Sequence, residues 1–247
     1  MQSTLNHHLG TPAHSSTREI TDHAAPASGN SRMANQPRCM VGAKENNMSF
    51  LEKWRDAARL KKSTLCAGID PADYALGRGT KGLSQGTNKK IFCQKFIDQV
   101  ATYCAAIKIN TQYFQTANDL EVMQAVGEHA KKYDLIMIQD RKLADISSSN
   151  EAGIYATKMT GGHAVTIAPY AGNMLEASNQ AKKWDVGVIT ICLMSNPEFA
   201  TEKNKLVDVT GIDGFQTEDI VFLLEGVPYV KQYQHSARSA ALYGLDG

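Results

Sequence analysis

From Met48 to the C-terminus, short apolar runs alternate with longer stretches in which apolar residues recur every three or four positions. The runs are Thr64–Asp70, Ala105–Asn110, Leu135–Asp140, His163–Ala168 and Gly187–Leu193. They are rich in β-branched residues or bounded by Gly and Pro, which predicts strands buried on both faces. Between them, Asn88–Cys104, Ala117–Lys132, Ser147–Met159 and Asn173–Lys183 have helical spacing; Ile91, Phe92, Phe96, Val100 and Tyr103 form a stripe along the first. Strand, helix and strand in this repeated order require right-handed crossovers and a parallel sheet with helices outside. Residues 1–47 lack any apolar period and are rich in Ser, Asn, His, Pro and Ala. Burial cannot offset their ordering entropy, so the pattern predicts a disordered extension at 1–47 and a folded domain at 48–247.

An open doubly wound sheet and a (β/α)8 barrel both fit this alternation, and the polar residues distinguish them. Each predicted strand ends on polar chemistry: Asp70; Lys108 with Asn110; Asp140 with Lys142; Pro169 with Tyr170; and Ser195. Function gathered from the C-terminal ends of several strands is the habit of a barrel. An open sheet concentrates it at one switch point.

Composition narrows the possibilities further. The chain has 247 residues, 43% of them hydrophobic, enough for one domain with a substantial core. Lys and Arg total 26 against 25 Asp and Glu, so no global basic field is available to hold nucleic acid, and no membrane or collagen-like pattern is present. The five cysteines, Cys39, Cys66, Cys93, Cys104 and Cys192, include no C-x-x-C pair, and three lie in apolar runs. This predicts reduced, buried thiols in a cytoplasmic protein, with neither a zinc site nor a disulfide framework. Gly77-Arg-Gly79-Thr-Lys-Gly82 spells G-x-G-x-x-G, but Pro71-Ala-Asp-Tyr74 separates it from the preceding strand, so it predicts a mobile loop rather than a dinucleotide cradle.

The informative segment is Asp140-Arg-Lys142-Leu-Ala-Asp145-Ile146. Residues two apart on a strand share a face, so Asp140 and Lys142 are expected to meet at the barrel mouth. Asp145 opens the turn into a helix beginning Ser147-Ser-Ser-Asn-Glu151, which also reads as N-capping chemistry. Lys108 lies within the apolar run Ala105–Asn110, where an unpaired ammonium costs several kcal/mol, roughly, so an anion must face it. Asp70 and Asp140 are the candidates. Such alternating arrays of carboxylates and ammonium groups mark functional sites.

These residues resemble the signature segments of the orotidine 5′-phosphate decarboxylase family. The resemblance rests on Leu65-Cys-Ala-Gly68-Ile-Asp70-Pro71, Ile107-Lys108-Ile-Asn110 and Asp140-Arg-Lys142-Leu-Ala-Asp145-Ile146. Ala164-Val-Thr-Ile-Ala-Pro169-Tyr170 and Leu193-Met-Ser195-Asn-Pro197 continue it. It implies a TIM barrel that converts orotidine 5′-monophosphate to UMP without cofactor or metal, as a cytoplasmic homodimer with shared active sites. It further implies that Lys142 is the catalytic acid, that Asp140 opposes the substrate carboxylate, and that Asp70 and Lys108 hold the ribose hydroxyls. Asp145, Ile146 and Ser149 correspond to the part donated across the dimer, and Ser195 to the side chain that contacts the pyrimidine.

The resemblance also implies that about five barrel strands are present and that Tyr243–Gly247 corresponds to the start of a sixth. The family's phosphate-binding loops would then lie on strands beyond Gly247. One alternative is a non-catalytic truncated product that binds nucleotide weakly or pairs with a full-length partner. The other is a metal-dependent sugar-phosphate decarboxylase of the same superfamily, which resembles a chain with Glu where this one has Lys108.

Overall fold

The computed structural model describes residues 48–247 apart from Val221, so the expected disordered extension at 1–47 lies outside the described residues. The first element among the described residues is helix α1 (Phe50–Lys61), which the strand-centred reading of the sequence overlooks. Its signal is a capping box: Ser49 Oγ accepts from the Glu52 N–H at 3.3 Å, and Glu52 Oε2 accepts from the Ser49 N–H at 2.7 Å.

Five parallel strands follow, β1 (Cys66–Ile69), β2 (Ala106–Asn110), β3 (Ile136–Leu143), β4 (Ala164–Ile167) and β5 (Gly187–Thr190). They lie side by side in chain order without a reversal. That sequential order is the order of a barrel wall, whereas a doubly wound sheet turns back at its switch point. The crossovers are α2 (Lys89–Val100), α3 (Asp119–Lys131), α4 (Ser147–Met159) and α5 (Met174–Trp184). Four of the five ladders are shorter than the runs that predict them. β3 instead runs past Asp140 to Leu143.

Alternation along each strand divides the side chains between two layers. Ile107, Ile109 and Met137 point outward and are buried against Ile97 and Cys93 of α2 and Val126 and Ala130 of α3. Val165, Ile167 and Val188 pack against Ile154 of α4 and Ala177 and Ala181 of α5. On the inner face, Ala106, Ile136, Ile138 and Ala164 meet Phe50, Trp54 and Ala57 of α1. Helix α1 therefore closes the N-terminal end of the sheet. Its approach depends on Gly187, where a Cβ would stand 2.4 Å from Phe50 Cγ. Lys53 of α1 reinforces the seat with a 2.7 Å bond to Asp185, which also receives Lys158.

Beyond β5, the chain forms elements that the sequence reading lacks: α6 (Phe199–Lys203), β6 (Leu206–Asp208), β7 (Phe222–Leu224), β8 (Val227–Lys231) and α7 (Gln232–Leu242). The three strands make a separate antiparallel sheet in the order β6-β8-β7. Its hairpin turns through Glu225 and Gly226, both at positive φ, in the twist that suits a two-residue loop. Glu-Gly is a weaker turn signal than Asn-Gly, and the strands are only three to five residues long, so the pattern is faint. After α7, the Asp246 N–H reaches Val188 O at 2.9 Å and the Thr190 N–H reaches Gly247 O at 2.7 Å, which sets the last residues beside β5.

The expectation of buried thiols holds for Cys93 and Cys104 but not for Cys66, which is exposed. Cys66 pairs with Ala106 and shares its inward face, but lies at the edge strand of the sheet. All four described cysteines are free thiols. Among the described residues, no helix is long and apolar enough to cross a membrane.

His163, at the start of β4, produces a pH dependence. Its Nδ1 accepts the Met137 backbone N–H at 3.1 Å, a bond that only the neutral ring can make. Burial, reinforced by the nearby ammonium groups of Lys53, Lys158 and Lys131, pushes its pKa down to about 4. The unfolded chain therefore binds the proton first as pH falls. Stability is full above about pH 6.5 and declines toward pH 4, by roughly 3 kcal/mol once both states are protonated. Urea unfolding at pH 7 and pH 4.5 is expected to show this loss, and His163→Asn to remove most of the difference; an equal pH dependence in the variant refutes the assignment.

Candidate active site

The inner face of β2 and β3 carries the chemistry. Along β2, Ala106, Lys108 and Asn110 alternate inward while Ile107 and Ile109 face the helices. In register, Lys108 stands opposite Ile138, and Asn110 opposite Asp140. Lys108 thus rises from an apolar floor toward the C-terminal edge, where Asp140 waits one step higher.

Between Gln139 and Leu143 the ladder to β4 is irregular: Gln139 pairs with Val165 and Leu143 with Ile167, so four steps on β3 match two on β4. The extra length bows β3, a distortion common beside functional sites. Lys142 occupies it in the left-handed region at φ 52°, which a lysine adopts only where its surroundings hold it. The expected meeting of Asp140 and Lys142 occurs, but the bulge brings it about rather than regular pleating. Arg141 turns to the helix side, where its Nε bonds Gln139 Oε1 at 2.9 Å and Thr157 Oγ1 at 3.0 Å.

The centre is a shared carboxylate. Asp140 Oδ2 receives Lys108 Nζ at 2.8 Å and Lys142 Nζ at 2.8 Å. Its Oδ1 accepts from Thr166 Oγ1 at 2.8 Å. Side-chain exposure is 11% for Asp140 against 38% for Lys108 and 33% for Lys142, so the anion is inside and both ammonium groups reach the open mouth. Burial alone would raise the Asp140 carboxyl, but the bonds from Lys108, Lys142 and Thr166 outweigh it and hold it below the ordinary carboxylate range. The site can therefore present two cations to an anionic group while keeping a carboxylate ionised beside them.

The other expected residues stand apart from this cluster. Asp70 follows β1, is exposed and forms no ion pair among the described residues, so the counter-charge of Lys108 is Asp140 rather than Asp70. Ser195 is exposed in the loop after β5. Asp145, Ile146 and Ser149 are exposed at the start of α4, with Ile146 at 65%. The capping expectation there needs correction: Ile146 holds the N-cap position and makes no side-chain cap bond. Asp145 Oδ1 accepts only the neighbouring Ile146 N–H, at 2.7 Å.

What fixes this turn is a pair of buried asparagines. Asn150 accepts the Asp145 N–H and donates to the Asp145 carbonyl, while Asn173 donates to the same carbonyl at 3.1 Å. The sequence reading missed both of them, and Thr166 as well. A single hydroxyl in the run Ala164–Ile167 and an amide in a polar helix start carry little signal until the partner is seen. The Gly77–Gly82 segment holds one short 3-10 turn, Gly79–Lys81, just after another at Tyr74–Leu76, and the Arg78 guanidinium bonds the Tyr113 hydroxyl.

Strands in barrel order, with a lysine, carboxylate and lysine cluster at their C-terminal ends, define a (β/α)-barrel protein whose candidate site opens at the barrel mouth. The sequence profile of the orotidine 5′-phosphate decarboxylase / HUMPS family matches residues 63–215, and the chain belongs to that family. An orotidine 5′-phosphate decarboxylase of Aromatoleum aromaticum is 30% identical over 153 residues, which cover 61% of this chain and 55% of that protein. One from Polaromonas naphthalenivorans is 27% identical over 198 residues, covering 78% and 63%. The chain thus spans little more than half the length of the first of these relatives. Among solved structures, the orotidine 5′-monophosphate decarboxylase of Plasmodium berghei superposes with a TM-score of 0.55 at 12% identity, over 77% of this chain and 69% of that one. The OMP decarboxylase of Leishmania donovani gives 0.51 at 21% identity, over 64% and 59%.

The asparagine clamp has a measurable worth. Asn150→Ala leaves the Asp145 N–H without its partner and is expected to cost about 1–3 kcal/mol in denaturant unfolding. Amide exchange at Asp145, Ile146 and Ser147 is expected to quicken, and unchanged exchange there refutes the clamp.

Proposed function

We propose that this chain decarboxylates orotidine 5′-monophosphate to UMP, and that the shared carboxylate is its catalytic centre. The observation that carries the reading is Asp140 Oδ2 held by Lys108 and Lys142 at 2.8 Å each. Breaking the bond from C6 to the carboxylate releases CO₂ and leaves the electron pair on C6, with no adjacent carbonyl to accept it. An ammonium fixed beside that carbon stabilises the charge as it develops. Lys142 then gives a proton to C6 and recovers one from solvent. Asp140, against the departing carboxylate, keeps Lys142 in line and opposes the charged ground state.

The remaining roles follow the family resemblance. Asp70 and Lys108 take the ribose hydroxyls, and Ser195 takes the pyrimidine. Asp145, with Ile146 and Ser149, reaches the neighbouring site of a homodimer. The exposure of Asp145 and Ile146, on a turn that buried asparagines hold outward, supports that assignment. We further assign the protein to the cytoplasm, where free thiols such as those of Cys66 and Cys192 persist.

The test is UMP formation from orotidine 5′-monophosphate, followed by loss of the substrate's absorbance. Lys142→Ala is expected to abolish nearly all turnover while UMP binding survives. Retention of more than about one-tenth of the rate, a barrier change of only about 1.4 kcal/mol, would remove Lys142 from the role of proton donor. The shared site has its own check. Asp145→Ala and Lys142→Ala chains are each expected to be inactive alone, whereas a mixture allowed to exchange subunits recovers roughly one-quarter of wild-type activity, since half the dimers then hold one intact site. A mixture that stays inactive places Asp145 within its own chain.

A further inference from the structure

We propose that Thr166 is a positioning residue whose hydroxyl sets both the carboxylate of Asp140 and the backbone of Lys142; the proposal rests on the decarboxylase reading above. Thr166 lies on β4, 7% exposed, on the inner face. Its Oγ1 accepts the Lys142 N–H at 3.0 Å and donates to Asp140 Oδ1 at 2.8 Å. The bulge explains the first bond. Where β3 carries two surplus residues, the Lys142 N–H turns to a side chain of β4 in place of a ladder carbonyl.

The direction of the second bond is fixed by its partner. An ionised carboxylate only accepts, so the hydroxyl's single proton goes to Asp140 while one of its lone pairs takes the Lys142 N–H. Thr166 is therefore locked as a donor to the one carboxylate oxygen that neither lysine touches. The charges facing Asp140 are Lys108 from β2 and Lys142 from β3 itself, while β4 contributes only this neutral hydroxyl. With both oxygens occupied the carboxylate cannot rotate, and Oδ2 stays aimed between the two ammonium groups. The same hydroxyl holds Lys142 at a left-handed φ that its side chain alone does not favour. One group thus registers the base of the catalytic lysine against the carboxylate that its tip must meet.

The deciding comparison is Thr166→Val, which keeps the shape and removes the hydroxyl, against Thr166→Ser, which keeps the hydroxyl. In full-length chain labelled with 13C at aspartate carboxyls, Asp140→Asn identifies the Asp140 signal. Thr166→Val is expected to raise its titration midpoint by about one pH unit, since a hydrogen bond to a charged group has roughly that worth. In the orotidine 5′-monophosphate assay it is expected to lower kcat about tenfold or more with little change in KM, and to move the acid limb of the rate profile upward. Thr166→Ser is expected to restore both readouts.

An unchanged midpoint and kcat in the valine variant overturns the proposal, as does a serine variant no better than valine. Should the valine variant fail to fold by circular dichroism, Thr166→Ser and Thr166→Ala carry the same comparison; equal impairment of the two overturns it. A wild-type chain that forms no UMP refutes the decarboxylase reading instead, and the carboxyl titration still decides the role of Thr166.

Discussion

A carboxylate under two ammonium groups makes an uneven demand on a protein. Each lysine needs the anion, the anion needs at least three donors to remain charged away from water, and none of them gains from being there alone. In this chain Asp140 meets that demand from three neighbouring strands, with Lys108 on β2, Lys142 on β3 and Thr166 on β4. The cluster therefore depends on the register of the sheet. A slip of one residue in β2 would turn Lys108 into the helix layer and bring Ile107 or Ile109 to the mouth. The apolar layer that fixes that register, with Ile107, Ile109 and Met137 fully buried, is thus a precondition of the site as well as of the fold.

The irregular stretch of β3 converts that register into chemistry. A regular strand would leave the backbone of Lys142 satisfied by β4, and Thr166 with no backbone group of β3 to accept from. The surplus residues free one N–H, and a hydroxyl takes it. Sites of this kind concentrate strain because the surrounding ladder is strong enough to hold it. Here pairs lie on both sides of the distortion, Gln139 with Val165 and Leu143 with Ile167.

Much of this was legible in the sequence for physical reasons. Fully buried parallel strands cannot hide: Ala105–Asn110 is apolar because both its faces are covered, and its one lysine is conspicuous for the same reason. Asp140 and Lys142 were legible because charges at a strand end are rare without a use. Of the two carboxylates offered to Lys108, sequence could not choose between Asp70 and Asp140, because both end strands at the same height and only the three-dimensional structure shows which one the ammonium reaches. Thr166 and Asn150 escaped because their meaning lies in directions of hydrogen bonds. Helix α1 and the β6-β8-β7 sheet escaped because the reading followed long apolar runs, and these elements are built from a cap, a tight turn and short ladders.

The seating of α1 has a consequence for the order in which the molecule assembles. Phe50 lies against Gly187, and Lys53 reaches Asp185, 132 residues along the chain. Helix α1, the first described element, has no complete seat until β5 has paired. Until then its apolar stripe of Phe50, Trp54 and Ala57 is unburied, as is the inner face of the early strands that it finally covers. Closure across such a separation is slow compared with the local pairing of one crossover unit, and exposed apolar surface in the interval invites association. The seat of α1 is thus shared between the two ends of the described chain, and it is complete only when β5 is in place.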